Sequence, residues 1–419
     1  MKIKLLGALA LAAGFALSAT APHTLAQDTT IRMLHIGDTP ATNEILQSII
    51  DSYNESHPGV TVVREAMENE ALRTKLPTLL QSNDPPSIIS SFGGGDIEAQ
   101  DDAGYLADIS ERTDDLLAVV PQSAVRAFEV HGKQVGVATD FSLVNLYVNK
   151  TLIDEAGVTL DEMKTWEGFL GAVEKLKAAG ITPIVTSGGD KWPVQHWLLY
   201  LMLREGGGDI MNRVREEGFA IEPFIAAAND LIALGEREPF QDGWLNTNWL
   251  TSIGQFGDGK GAIYLAGNWA IVQQADNASD GEGISRDNLL VAPFPAVESG
   301  MGDGTETVGG LSGYTITAGA PPEAVDFLIY YAGLEQQKAY AESGLGIPSA
   351  TGVAEYITDP TLQWVVETIA AASKHQNFAD RDLGPSAGGA FNDVAVALAA
   401  GEMTAEDAAA TLQDAWDNR

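Results

Sequence analysis

The sequence contains no cysteine. That excludes disulfides, thiolate metal sites, cysteine nucleophiles and a lipid-modified cysteine near the amino terminus. Histidine is sparse and scattered, at positions 23, 35, 57, 131, 196 and 375, without a His-Glu-x-x-His or comparable ligand spacing, so no metal site is expected. Positive charge is also short: 24 lysines and arginines stand against 58 aspartates and glutamates, a formal net charge of -34. Such a surface repels phosphate backbones and anionic lipid, which argues against nucleic acid as a partner. Long apolar runs are missing after the amino terminus; the strongest, Trp197–Leu203, falls far short of the roughly 18 residues of a membrane span.

Reactive-centre motifs are missing as well. No Gly-x-Ser-x-Gly elbow occurs, and no dinucleotide fingerprint follows the first strand-like segment. Gly254-Gln255-Phe256-Gly257-Asp258-Gly259-Lys260 nearly spells a phosphate-binding loop, but Gly261 stands where a magnesium-binding serine or threonine is required. Its place between a helix and a strand is also the reverse of the order that loop needs. Carboxylate pairs for glycoside hydrolysis can be drawn among so many acids, but linear spacing carries nothing about the carboxyl separation on which that chemistry depends. No catalytic residue and no cofactor are expected.

What is present begins with Lys2 and Lys4, a leucine- and alanine-rich stretch from Leu5 to about Ala21, and small residues at Thr24 and Ala26. This reads as a secretory signal peptide over residues 1–26. Its removal deletes two lysines and no acid, taking the charge from -34 to -36. The length suits two or three compact units at roughly 100–200 residues each, and 45% apolar residues supply a sizeable core.

From Ile31 the chain alternates strand-like and helix-like segments. Ile31–Ile36, Val60–Val63 and Ser87–Ser91 read as strands, and Pro40–Tyr53 and Leu72–Gln81 as helices, the rhythm of an α/β sheet with helices on both faces. Ligands of such sheets bind beyond the carboxyl ends of the strands, here His35–Thr39 and Phe92–Asp96. Val135–Ala138 and Leu143–Val148 are two further strands parted by Thr139-Asp140-Phe141-Ser142, where the chain can leave one sheet for another. The next stretch, to about Gly283, is mainly helical. Thr165 caps a helix bearing Trp166, Phe169, Leu170, Val173 and Leu176, and Thr404 opens the last helix.

At this point the chain resembles a known family: periplasmic solute-binding proteins of carbohydrate ABC transporters, related to maltodextrin-binding protein. The resemblance is carried by Thr29–Asp38 before a helix, Pro86–Phe92 then Gly104–Ile109, Val135–Asp140 then Leu146–Lys150, Gly261–Trp269, Val291–Pro295 and Gly309–Thr317. It implies a two-lobed periplasmic-binding-protein fold, each lobe a central sheet flanked by helices, joined by a multi-strand hinge. Mapped onto this chain, the amino-terminal lobe is expected over 27–139 plus 292–345, and the carboxyl-terminal lobe over 140–291 plus 346–419. The crossings fall near Thr139–Ser142, Leu290–Phe294 and Leu345–Ser349. The family's function implies a periplasmic monomer that hands a sugar to inner-membrane permease subunits driven by a cytoplasmic ATPase.

A pyranose presents apolar C–H faces and a ring of hydroxyls, so its site needs aromatic planes and planar polar side chains. Trp269, just past a strand, and Trp192, before a helix, are the expected stacking planes. Asp38, Phe92, Asp96, Asp140, Asn268 and the backbone at Gly310 are expected contacts by resemblance. Phe391 is expected to pack in a helix interface, and Trp244 and Trp249 in ordinary hydrophobic surroundings. Because Asp38, Asp96 and Asp140 beside tryptophans could also cage an ammonium, a polyamine binder of the same fold is the alternative, with a secreted glycosidase behind it.

Overall fold

The computed structural model describes residues 28–37 and 39–419; the expected signal peptide, residues 1–26, and Asp38 lie outside the described residues. A six-stranded sheet organises the first lobe. Its strands are β1 (Thr29–Ile36), β2 (Val60–Met67), β3 (Ile88–Ser91), β4 (Gly136–Phe141), β8 (Leu311–Ile316) and β9 (Ile347–Pro348), in the order β9-β4-β8-β3-β1-β2. The first three strands run parallel, and β8 runs antiparallel to β3 and β4. Ile31, Met33, Leu34, Ile88 and Ile89 are all buried, as expected of strands covered on both faces. Helix α1 (Pro40–Ser56) follows β1, with Pro40 at its first turn and the Thr39 hydroxyl accepting from the Thr42 amide at 3.0 Å. Its Leu46, Ile49, Ile50 and Tyr53 pack inward, and the Tyr53 ring meets Phe327 edge-on at 5.0 Å.

The second lobe has a smaller sheet, β6-β5-β7, built from β5 (Val144–Asn149), β6 (Ile263–Gly267) and β7 (Leu289–Ala292), all antiparallel. Helices supply most of its core. Thr165 caps the helix Trp166–Ala178 by accepting from the Gly168 amide at 3.2 Å, and Thr404 does the same for Ala405–Asp417. Phe391 is fully buried in this core.

β4 continues through Thr139, Asp140 and Phe141, so the chain leaves the larger sheet at Ser142–Leu143, and Asp140 belongs to a strand rather than to a polar break. The return near Ile347 pairs with Phe141 and Asp140. The middle crossing is displaced. β7 pairs with β5, Phe294 stacks on Tyr200 at 4.5 Å within the second lobe, and Thr307–Val308 pairs with His375–Gln376. The chain joins the larger sheet only at Leu311, so residues 292–309 sit with the second lobe and not with the first.

The physical reason lies in Arg204, a buried arginine that sequence reading passed over. Its guanidinium pairs with Glu306 at 3.0 Å and donates to the carbonyls of Phe294, Pro295 and Glu306, which ties 294–306 to the long helix of the second lobe. Replacing it with methionine strands the Glu306 carboxylate, and a loss of about 3–5 kcal/mol is expected. Chemical denaturation of Arg204→Met checks this; an unchanged midpoint would detach that segment from the second lobe's stability.

Candidate functional site

Between the lobes lies a cavity of about 270 Å³, bounded below by the crossing strands. The second-lobe wall is aromatic. Trp192 opens helix α2 (Trp192–Gly206), Trp249 opens α3 (Trp249–Gly257), and Trp269 precedes α4 (Ala270–Asp276). Ring centroids of Trp192 lie 5.8 Å from Trp249 and 6.1 Å from Trp269, and Trp269 lies 6.2 Å from Phe378. Phe92, from the first lobe, meets Phe378 edge-on at 6.2 Å. Five rings therefore form one continuous surface.

Local backbone chemistry sets each ring. Lys191 has φ +63°, a left-handed conformation that costs a non-glycine residue energy, and it turns the chain so that Trp192 starts the helix at the cleft. The Asp190 carboxylate accepts from the Trp249 amide at 2.6 Å, fastening the second tryptophan to the loop that carries the first. A Cβ at Gly267 would stand 2.1 Å from the Trp269 ring, so only glycine lets that indole lie down against the strand end.

The opposite wall and the floor are polar. Thr39, Thr42, Asn69, Ser90 and Ser91 face the cavity from the first lobe, and Asp140, Ser312 and Tyr314 from the crossing strands. The lobes touch across the cleft: Trp249 Nε1 donates to Glu68 Oε1 at 3.3 Å, and Asn377 Nδ2 to the Phe92 carbonyl at 3.2 Å. Their arrangement is closed.

Of the expected site residues, Phe92, Asp140, Trp192 and Trp269 line this cavity. Asp96 does not; it lies behind Arg381, whose Nη1 donates to its carboxylate at 3.3 Å. Asn268 is also set back, because its side-chain oxygen accepts from the Leu143 amide at 3.0 Å and so serves the crossing strand. Gly310 is a hinge residue, exchanging hydrogen bonds with Ser142. Trp244 packs against Phe240 at 4.6 Å, away from the cavity.

Sequence reasoning missed Trp249, Gln195, His196, Phe378 and Arg381, all of which line the cavity. Gln195 and His196 follow Trp192 within one helical turn, and that spacing was the available signal. Trp192 Nε1, Gln195 Oε1 and His196 Nδ1 are buried without partners. Burial pushes His196 down to about 4, so its ring is neutral at physiological pH.

Burial pushes the Asp140 carboxyl up to about 7, against hydrogen bonding from the Ile347 amide and Ser312. The groups facing it are Tyr314 and Tyr340, both with pKa values raised by burial, and it has no ion-pair partner among the described residues. Between the ordinary carboxylate value and pH 7 the folded chain keeps a proton that the unfolded chain releases, so this group's contribution to stability falls as pH rises. Asp140→Asn is expected to melt at a higher temperature than the parent at pH 8 and to converge with it near pH 4. Equal midpoints at pH 8 would show that the carboxylate is not desolvated.

The sequence profile of the bacterial extracellular solute-binding protein family matches residues 48–367. Among curated relatives, the Multiple sugar-binding protein of Streptococcus mutans is 22% identical over 55% of this chain and 56% of its own length. A Probable sugar-binding periplasmic protein of Mesorhizobium japonicum is 29% identical over 50% and 49%. The chain thus spans about half the length of these relatives. Among solved structures, a chitin oligosaccharide binding protein superposes with TM-score 0.84 at 24% identity, covering 94% of this chain and 99% of that one. A solute-binding protein in complex with raffinose gives TM-score 0.72 at 20% identity over 93% and 100%. These likenesses establish the two-lobed fold.

Proposed function

The chain belongs to the bacterial extracellular solute-binding protein family, and from that premise we propose that it captures a mono- to oligosaccharide outside the cytoplasm and delivers it to an ABC importer. One observation carries the reading: a continuous surface of five aromatic rings faces a wall of hydroxyl and amide side chains across a closed cleft. Aromatic planes take the C–H faces of a pyranose, and the opposite wall takes its hydroxyl edge. Its curated relatives named as sugar-binding support the same reading.

In mechanism, Trp192, Trp249 and Trp269 dock the sugar on the second lobe first. Closure then brings Thr42, Asn69 and Ser90 onto its other side, so the bound molecule stabilises only the closed state. A membrane permease distinguishes that state from the open one, and no bond is made or broken. Micromolar affinity corresponds to about 8 kcal/mol, more than stacking alone supplies. Several hydrogen bonds in the dehydrated cleft make up the difference. The Asp140 carboxyl, without an ion-pair partner among the described residues, would also suit an ammonium when ionised, which keeps a polyamine as the second reading.

A thermal-shift panel separates the two: saccharides such as xylobiose, N,N′-diacetylchitobiose, raffinose and galactose should raise the melting temperature while spermidine and putrescine do not. The reverse pattern would transfer the site to cations. Trp269→Ala should weaken the best-bound saccharide by at least about tenfold in calorimetry, the loss of roughly 1.4 kcal/mol of stacking, and unchanged affinity would remove that ring from the site. Small-angle scattering should show the protein contracting on addition of that saccharide; constant dimensions would argue for a rigid site.

A further inference from the structure

Arg381 is the one arginine or lysine lining the cavity among the described residues, and His196 on the same lining is neutral at physiological pH; a lone arginine in a sugar cleft invites the reading of a carboxylate receptor. Its surroundings oppose that. Nη1 donates to Asp96 Oδ2 at 3.3 Å, Nη2 to Asn69 Oδ1 at 3.3 Å, and Nε stands 3.7 Å from Asp380 Oδ2. The guanidinium carbon lies 4.7 Å from the centroid of the Phe92 ring. Two of its three nitrogens donate within the protein, the third stands in ion-pair range of Asp380, and one face lies over an aromatic ring. Burial alone would lower the Arg381 pKa, but Asp380 and Asp96 together outweigh it and hold it above its ordinary value.

The charge balance around it runs further to the acidic side. Arg73 is 3.7 Å from the same Asp380 oxygen, and Glu70 is a third nearby carboxyl with one oxygen buried and unpartnered. Two cations are thus set among three carboxyl groups, and Asp140, elsewhere on the cavity lining, adds another without an ion-pair partner among the described residues. An entering carboxylate would surrender its hydration, meet these acids at close range, and find no free positive charge in return. Hydroxyls meet no such cost, since they donate to carboxylates.

We propose that this cleft selects uncharged saccharides and excludes uronic-acid sugars, and that the Asp96–Arg381 pairing sets the exclusion. The inference rests on the saccharide reading above and adds the charge class of the substrate. Asp96, behind the wall, acts as a positioning residue: it cancels and holds the guanidinium, so that Arg381 offers ring-face packing and shape rather than a free cation. The protein's overall negative charge would also repel acids, but that long-range field is screened beyond about 8 Å at physiological ionic strength, whereas the buried cluster is not.

Calorimetry with matched pairs tests this: α-1,4-galactobiose against α-1,4-digalacturonate, and cellobiose against cellobiouronate, at 0.15 and 0.5 M NaCl. Whichever uncharged disaccharide binds, its acid counterpart should bind about 100-fold more weakly at both salt concentrations. Asp96→Asn, which keeps an acceptor but removes the charge, should narrow that ratio at least about tenfold. Arg381→Gln should leave the rejection of the acid in place. Equal affinity within a pair, a gap that vanishes at high salt, or an acid that binds the parent and is lost in Arg381→Gln would each overturn the proposal. A uronate bound with no uncharged partner would overturn it while sparing the saccharide reading. If neither kind binds and spermidine does, the saccharide reading itself fails.

Discussion

Three passages of one chain run side by side between two separately packed lobes, and their backbones touch. The Ser142 amide donates to the Gly310 carbonyl at 2.9 Å, the Gly310 amide returns a bond to the Ser142 hydroxyl at 3.0 Å, and a Cβ at Gly309 would stand 2.0 Å from the Ser142 carbonyl oxygen. The third passage joins them where the Ser349 hydroxyl reaches the Ala138 carbonyl at 2.7 Å. Side chains larger than hydrogen would part the strands at this point. The cleft above them takes its floor from this contact, and any relative motion of the lobes must be absorbed within it.

That arrangement divides the labour between the two walls. The second lobe sets Trp192, Trp249 and Trp269 at the ends of structural elements, where a strand or loop gives way to a helix and a large ring can face the cleft. The first lobe contributes short hydroxyl and amide side chains from its strand ends. An apolar wall facing a polar one is a surface for an amphipathic solute, and a pyranose has that character. A cleft of uniform polarity would leave either the rings or the hydroxyls of such a solute unsatisfied.

Charge is arranged as economically as shape. The molecule is strongly acidic overall, yet at the cleft its one lining arginine is surrounded by carboxylates and an aromatic face, while Asp140 is half-buried near tyrosines and accepts from the Ile347 amide and Ser312. Selectivity for charge in this design comes from what is already neutralised. A free arginine and a paired one line a cavity equally well, and they differ only in the groups standing behind them.

Much of the fold was legible in the chain because burial in a sheet and spacing in a helix are local properties. The first three strands, the capping threonines and the two lobes follow from periodicity and resemblance, and Trp192 and Trp269 stand out because each closes a strand-like or loop segment ahead of a helix. Asp96 shows the limit: it follows the third strand, in the first turn of the helix Gly95–Asp102 rather than in a loop, and whether it faces the cavity depends on Arg381, 285 positions away. The middle crossing likewise moved from 292 to Leu311 because Arg204 anchors a distant segment. Sequence by itself determined which residues are apolar, acidic or helix-opening, since those are properties of the residues and their near neighbours. Only tertiary structure decided which of them share the cleft, because Trp249, Phe378 and Arg381 arrive there from separate segments whose meeting is fixed by packing between lobes.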